Sequence, residues 1–132
     1  GMGKHIAAET IKLMIKKSIK IIDSKILILG FTFKENCPDV RNTRVIDIVN
    51  EMKTYNTNLT IVDPWANPND VKKEYNIATL IEIPNLKYDA IILAVSHTEF
   101  LKLNILDLKR SNNSIVYDIK GFLDRKIIDS RL

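Results

Sequence analysis

Long apolar runs are missing from this chain. No stretch approaches the roughly 20 consecutive apolar residues of a bilayer-spanning helix. The opening Gly1-Met2-Gly3-Lys4-His5 lacks the apolar core of a signal peptide. No membrane partner is expected. Cysteine is nearly absent as well. Cys37 stands alone, so it cannot form an internal disulfide, and nothing points to an oxidising compartment. The expected location is therefore the cytoplasm. With His5 and His97 as the only histidines, no metal-ligand spacing exists and no metal is expected. A nucleophilic thiol needs a base partner or a lowered pKa, and nothing sets either histidine beside Cys37, which reads as structural or incidental. Repeats and low-complexity linkers are missing too. The net charge of +4 comes from lysines spread along the chain, with a cluster at Lys12, Lys16, Lys17, Lys20 and Lys25. No aromatics are interleaved with them and no recognition module is present, so they read as a solvated face with no nucleic-acid partner.

What is present is the making of one ordinary domain. At 132 residues, 45% hydrophobic and 27% charged, the chain is long enough to bury a real core and too apolar to be disordered. Gly1 ahead of Met2 reads as a cloning remnant or a native residue, and the chain is open to being a piece of something longer.

The apolar periodicity alternates between helix and strand. Lys4 to Lys17 reads as a helix, with Ile6, Thr10, Leu13, Met14 and Lys17 at helical spacing. Ile19 to Ser24 connects it to a strand over Lys25 to Leu29, apolar without alternation, as in a parallel sheet covered on both faces. Val45, Ile48, Val49 and Met52 form one helical stripe, with Asn42 or Thr43 as cap, Asp47 in the first turn and Asn56 at the end. A second strand is expected over Leu59 to Val62, and a helix from Pro68 to Tyr75 behind Asn67. Ile77 to Pro84 fits either a short strand or an irregular segment. Ala90 to Val95 is a buried strand, Ser96 or Thr98 begins a short helix to Leu101, and Asn104 to Arg110 continues helically. Ser114 to Tyr117 is a last strand ending in Asp118, and Leu123 to Leu132 is too short to assign. The order predicts an α/β fold: a doubly wound, mainly parallel, Rossmann-like sheet with helices on both faces, preceded by one helix.

In such a sheet the carboxyl ends of the strands form the ligand-binding rim. The first strand delivers Phe33, Lys34 and Arg41 there, the second Asp63, the third Ser96 and His97, and the last Asp118 and Lys120. Cations at strand ends near helix amino termini suit an anion such as a pyrophosphate. The competing reading is ordinary surface charge, with Arg41 paired to Asp39 or Asp47. One glycine, Gly30, stands where a dinucleotide fingerprint would need three, so Asp63 before Pro64 reads as a turn former rather than a ribose ligand. His97 reads as a capping or surface residue, and Trp65 as a packing anchor for its loop.

The loop carries a resemblance. Leu29-Gly30-Phe31-Thr32-Phe33-Lys34-Glu35-Asn36-Cys37-Pro38-Asp39-Val40-Arg41-Asn42-Thr43, the Val-Ile-Asp opening of the next helix, and Val62-Asp63-Pro64-Trp65-Ala66 resemble the carboxyl-terminal domain of the UDP-glucose/GDP-mannose dehydrogenase family. The wording from Phe31 to Asp39 is most similar to the branch that oxidises UDP-N-acetylhexosamines for bacterial surface polysaccharides such as capsule. The match runs from about Lys25 to Asp124, and Gly3 to Lys17 resembles the end of the family's linker helix.

The resemblance implies that residues 1–22 are the end of a linker or central-domain helix and 23–132 a UDP-binding domain. It implies an enzyme whose amino-terminal domain holds NAD, whose central region makes a homo-oligomer, and which oxidises the C6 alcohol of a UDP-sugar to a carboxylate in two steps through a thiohemiacetal. The family's catalytic cysteine belongs to the central region, so Cys37 is not its equivalent and no catalytic residue is expected here. By the same resemblance, Phe33 and Lys34 contact the nucleotide sugar, with the lysine near its phosphates. Arg41 reaches toward NAD across the domain cleft, and Lys120 of Tyr117-Asp118-Ile119-Lys120 stands where many members have a substrate-binding arginine. A lysine keeps the charge without the bidentate geometry. The alternative is a stand-alone interaction or regulatory module without a nucleotide site. A receiver-like version would want clustered acids at the strand ends, where this rim is mainly basic.

Overall fold

A computed structural model describes all of residues 1–132. Five parallel strands form one sheet in the order β2-β1-β3-β4-β5: β1 (Lys25–Leu29), β2 (Asn58–Val62), β3 (Ala90–Leu93), β4 (Ile115–Asp118) and β5 (Ser130–Arg131). The unbroken apolar run of β1 has a direct cause. Ile26 and Ile28 enter one core while Leu27 and Leu29 enter another on the opposite face. Both faces of the strand are covered, so neither has a polar position to spare.

Three helices serve the first face: α1 (Met2–Lys16), α2 (Val45–Thr54) and α3 (Pro68–Tyr75). Ile6, Ala7, Ile11 and Met14 of α1 join Val45, Ile48, Val49 and Met52 of α2 and Val71 of α3 in that core. α1 and α2 cross closely, since a Cβ at Gly3 would stand 2.6 Å from Cβ of Asp47. The Tyr117 hydroxyl on β4 donates to Glu9 of α1 at 2.7 Å. Burial, together with that neighbouring carboxylate, pushes the phenol up to about 12. The second face is covered by 3₁₀ helices at Thr98–Lys102 and Ile105–Leu108, which insert Phe100 and Ile105 beside Tyr88 and Val116.

Element boundaries differ from the sequence reading in informative places. α1 begins at Met2. The apolar pair Ala94-Val95 does not extend β3, because both N–H groups turn onto one carbonyl, that of Leu29, at 2.8 and 3.2 Å. The expected cap Thr43 works from one residue outside: Arg44 holds the N-cap position of α2 without a side-chain cap, while Thr43 Oγ1 accepts from Val45 N at 3.2 Å. Asn67 caps α3 as expected, accepting from Asn69 N and Asp70 N. Ile77 to Pro84 is irregular apart from one bridge, Val62 to Leu80. The unassigned tail supplies β5, held by Asp129 N on the Val116 carbonyl and Val116 N on the Asp129 carboxylate.

Candidate functional site

Strand order reverses between β1 and β3, because β1 lies between β2 and β3 and the chain leaves it in opposite directions. Beyond the carboxyl ends of those two strands an open α/β sheet has its crevice. Gly30 closes β1 there with φ +98°, its N–H on the Val62 carbonyl at 2.8 Å. A Cβ at this position would lie 2.5 Å from Cβ of Val95 and 2.7 Å from its backbone nitrogen. The glycine thus permits close contact between β1 and β3, not a phosphate cradle.

The loop that follows is shaped by side chains. Asp63, fully buried at the end of β2, accepts from Phe31 N at 2.6 Å and Thr32 N at 2.9 Å through Oδ2, and from Trp65 N and Ala66 N through Oδ1. Burial pushes its carboxyl up, but the His97 hydrogen bond and the backbone N–H groups of Phe31, Thr32 and Trp65 outweigh this and hold it below the ordinary value. Asp63 is therefore more than a turn former, since it fastens the next loop to its own. Thr43 Oγ1 donates to the Phe31 carbonyl, and the Phe31 ring meets Tyr75 edge-on at 5.4 Å. Phe33 N donates to the Asp39 carbonyl and draws the loop shut. Asn36 and Asn42 take left-handed φ values of 54° and 59°, which asparagine tolerates.

Between these anchors the segment Phe33-Lys34-Glu35 is exposed, with Phe33 showing 53% of its surface. Phe33 lines a cleft of about 210 Å³ at the switch point. Arg44 and Val45 at the amino end of α2, Lys120 after β4 and Gly3 of α1 line the same cleft. Phe33 and Lys120, distant in sequence, thus line one cleft. Lys34 is next to it on the loop without lining it. Arg44, which sequence reasoning passed over, joins them. The available signal was a cation directly ahead of an apolar helix whose amino end meets the rim. Lys34, Arg44 and Lys120 make no ion pair within the chain.

Arg41 is elsewhere. It lines a separate groove of about 550 Å³ with Cys37, Asp39 and, from α3, Asp70, Lys73 and Glu74. Its Nε pairs with Asp39 Oδ1 at 3.1 Å, one of the two partners weighed above. That hydrogen bond lowers the Asp39 carboxyl below its usual range and raises the guanidinium. Cys37 is a free, half-buried thiol in the same groove.

His97 is not on the surface. It is fully buried, with Nδ1 accepting from Asn36 N at 2.9 Å and Nε2 2.9 Å from Asp63 Oδ2. Trp65 stacks over its ring at 6.2 Å and donates Nε1–H to Glu99, so the indole covers the imidazole as well as anchoring its own loop. The acids at strand ends are equally committed. Asp118, fully buried, accepts from Lys120 N and Leu123 N.

Comparison with known proteins adds a family. A model described as the UDP binding domain of the UDP-glucose/GDP-mannose dehydrogenase family matches residues 27–125. The chain is 44% identical over 133 residues to UDP-N-acetyl-D-glucosamine 6-dehydrogenase of Salmonella typhi, covering 99% of this chain and 31% of that protein. It is 39% identical to the enzyme of the same name from Pseudomonas aeruginosa, covering 100% and 32%. Among solved structures, UDP-D-ManNAc dehydrogenase from Pyrococcus horikoshii superposes with a TM-score of 0.72 at 19% identity, covering 97% of this chain and 30% of that one. The chain spans about a third of the length of the curated relatives it matches.

Proposed function

Because the chain belongs to the UDP-glucose/GDP-mannose dehydrogenase family and forms its UDP-binding domain, we propose that the switch-point cleft holds the pyrophosphate end of a UDP-sugar for an NAD-dependent 6-dehydrogenase. The observation that carries this reading is the meeting of Phe33, Arg44 and Lys120 at one cleft, with Lys34 beside it and no carboxylate paired to any of the three cations. Lysines supply point charge to phosphate oxygens, and Arg44 adds a bidentate fork. The exposed Phe33 ring is an apolar wall for the nucleotide. At about 210 Å³ the cleft is below the ~300–1,000 Å³ usual for ligand pockets, which suits a site completed by other parts of a larger enzyme.

The residues present do not fit NAD. The single Gly30 is packed against Val95, leaving no backbone cradle for a dinucleotide pyrophosphate. The role assigned to this chain is binding and orienting the substrate, with Arg41 lending one contact to a cofactor held elsewhere. In this reading residues 1–22 end the connecting helix and 23–132 form the substrate domain of a cytoplasmic homo-oligomer making UDP-uronic acids for polysaccharide. No helix here is long and apolar enough to cross a membrane. The receiver-like alternative loses its acids, because Asp63 and Asp118 spend their oxygens on backbone N–H groups.

Calorimetry tests the site. UDP is expected to bind the chain, and Lys34→Ala or Lys120→Ala to weaken it by roughly tenfold each, the value of one charge-assisted contact. Unchanged affinity in both variants would remove the pyrophosphate assignment. Arg44→Gln keeps a polar, hydrogen-bonding side chain but loses the charge; it is expected to weaken UDP by about tenfold and uridine by less than twofold. Equal losses for UDP and uridine would show that Arg44 does not meet the phosphates.

A further inference from the structure

His97 lines neither groove, yet it is fully buried and both ring nitrogens are engaged. A ring nitrogen that accepts a backbone N–H carries no proton, so the Asn36 contact assigns the hydrogen to Nε2, which donates to Asp63 Oδ2 at 2.9 Å and also lies 3.1 Å from Thr32 Oγ1. The pair is thus a neutral imidazole on a carboxylate, not an ion pair. Trp65 at 6.2 Å and Phe100 at 5.5 Å flank the ring and limit its rotation.

The arrangement fastens one short segment at both ends. At its start, Thr32 N is held by Asp63, and Thr32 Oγ1 donates to the Lys34 carbonyl at 3.0 Å. At its end, Asn36 N is held by His97 Nδ1, while Asn36 Oδ1 accepts from Thr98 N at 3.0 Å. The three residues between, Phe33, Lys34 and Glu35, are exposed and have no side-chain hydrogen bond of their own. The geometry points to His97 as a positioning residue: its Nδ1 closes the Thr32–Asn36 segment and so sets Phe33 and Lys34 at the mouth of the cleft before ligand arrives. The value of such an anchor is preorganisation, since a segment already ordered loses less freedom on binding. The ligand consequence rests on the UDP reading above; the closure of the segment does not.

Two substitutions divide the imidazole. Asn places an acceptor near the Nδ1 position and loses the donor to Asp63 and its contact with Thr32 Oγ1, whose hydroxyl still donates to the Lys34 carbonyl. Gln reaches the Nε2 position with a donor and loses the acceptor for Asn36. His97→Gln is expected to be the more stable of the two, because it keeps the partner of a buried carboxylate. Yet His97→Gln is expected to speed hydrogen exchange at the Asn36 amide by about tenfold and to weaken UDP by a similar factor, while His97→Asn stays within about threefold of the parent on both measures. Stability and affinity should therefore rank the variants in opposite orders, which a purely structural histidine would not produce. Unchanged Asn36 exchange in His97→Gln, or affinities that follow thermal stability, would overturn the assignment. In the parent chain, a scalar coupling across the hydrogen bond from Asn36 N to His97 Nδ1 supports it without any variant, and its absence counts against it. If the parent fails to bind UDP, the substrate reading falls while the exchange comparison still decides the role of His97.

Discussion

Alanine at position 30 is expected to destabilise the fold by about 2–5 kcal/mol, combining left-handed backbone strain with overpacking. Gly30 holds φ +98°, and an added methyl would stand 2.5 Å from Cβ and 2.7 Å from the backbone nitrogen of Val95. A flexible side chain could retreat from such a contact, but a backbone nitrogen here cannot. Val95 N donates to Leu29 O on one side, and Gly30 N donates to Val62 O on the other. Relief would require β1 and β3 to part, which breaks the Ala94 and Val95 hydrogen bonds together. For a domain of this size the midpoint of thermal unfolding should fall by about 10 °C or more. Urea unfolding should show a lower midpoint with an unchanged slope, as a loss of stability without change in compactness requires. A drop of less than about 2 °C would mean that the end of β1 can rearrange freely beside Val95.

The parts of this fold that depend on neighbours in sequence could be read from the sequence. The β1 run, the Val45-Ile48-Val49-Met52 stripe and the Asn67-Pro68 start of α3 each carry their own signal, and each forms as expected. What failed depends on distant partners. Ala94-Val95 reads as strand because it is apolar, but both N–H groups meet the Leu29 carbonyl and Val95 packs against Gly30. β5 is two residues long and polar, and exists because Asp129 finds Val116. His97 offers no local signal of its burial. Its side-chain partners stand 61 and 34 positions away, so the strand-end position points to the N-cap place His97 takes ahead of Thr98–Lys102 but not to its burial, nor to a side chain that bonds elsewhere than the helix. The site divides the same way. Phe33 and Lys120 could be placed on the rim from strand ends, whereas their sharing of a cleft with Arg44 depends on how α2 docks against the sheet.

Asp63→Asn is expected to be the other large effect, destabilising by about 3–5 kcal/mol, the range for breaking a buried charged network. The carboxylate accepts from four backbone N–H groups and from His97. An amide has one acceptor oxygen, so one group of donors must face its NH₂. If the NH₂ turned toward Phe31, Thr32 and His97, the imidazole would have to move its hydrogen to Nδ1 and release Asn36. Turning it toward Trp65 and Ala66 is less disruptive and leaves those two N–H groups unsatisfied. Either way, buried N–H groups at the join of the loops after β1 and β2 lose their acceptor, and the donors that keep one meet a neutral amide oxygen in place of a charged carboxylate. The acid dependence follows with a definite sign. The folded carboxyl titrates below its ordinary 3.8, so its contribution is complete above that value and is lost as pH falls through the folded one. Measured by urea unfolding, the stability gap between the parent and Asp63→Asn should be full at neutral pH and begin to close only below about pH 4, where the parent's own carboxyl takes up a proton. A gap that stays constant into acid would show that the charge on Asp63 is not what holds the two loops together.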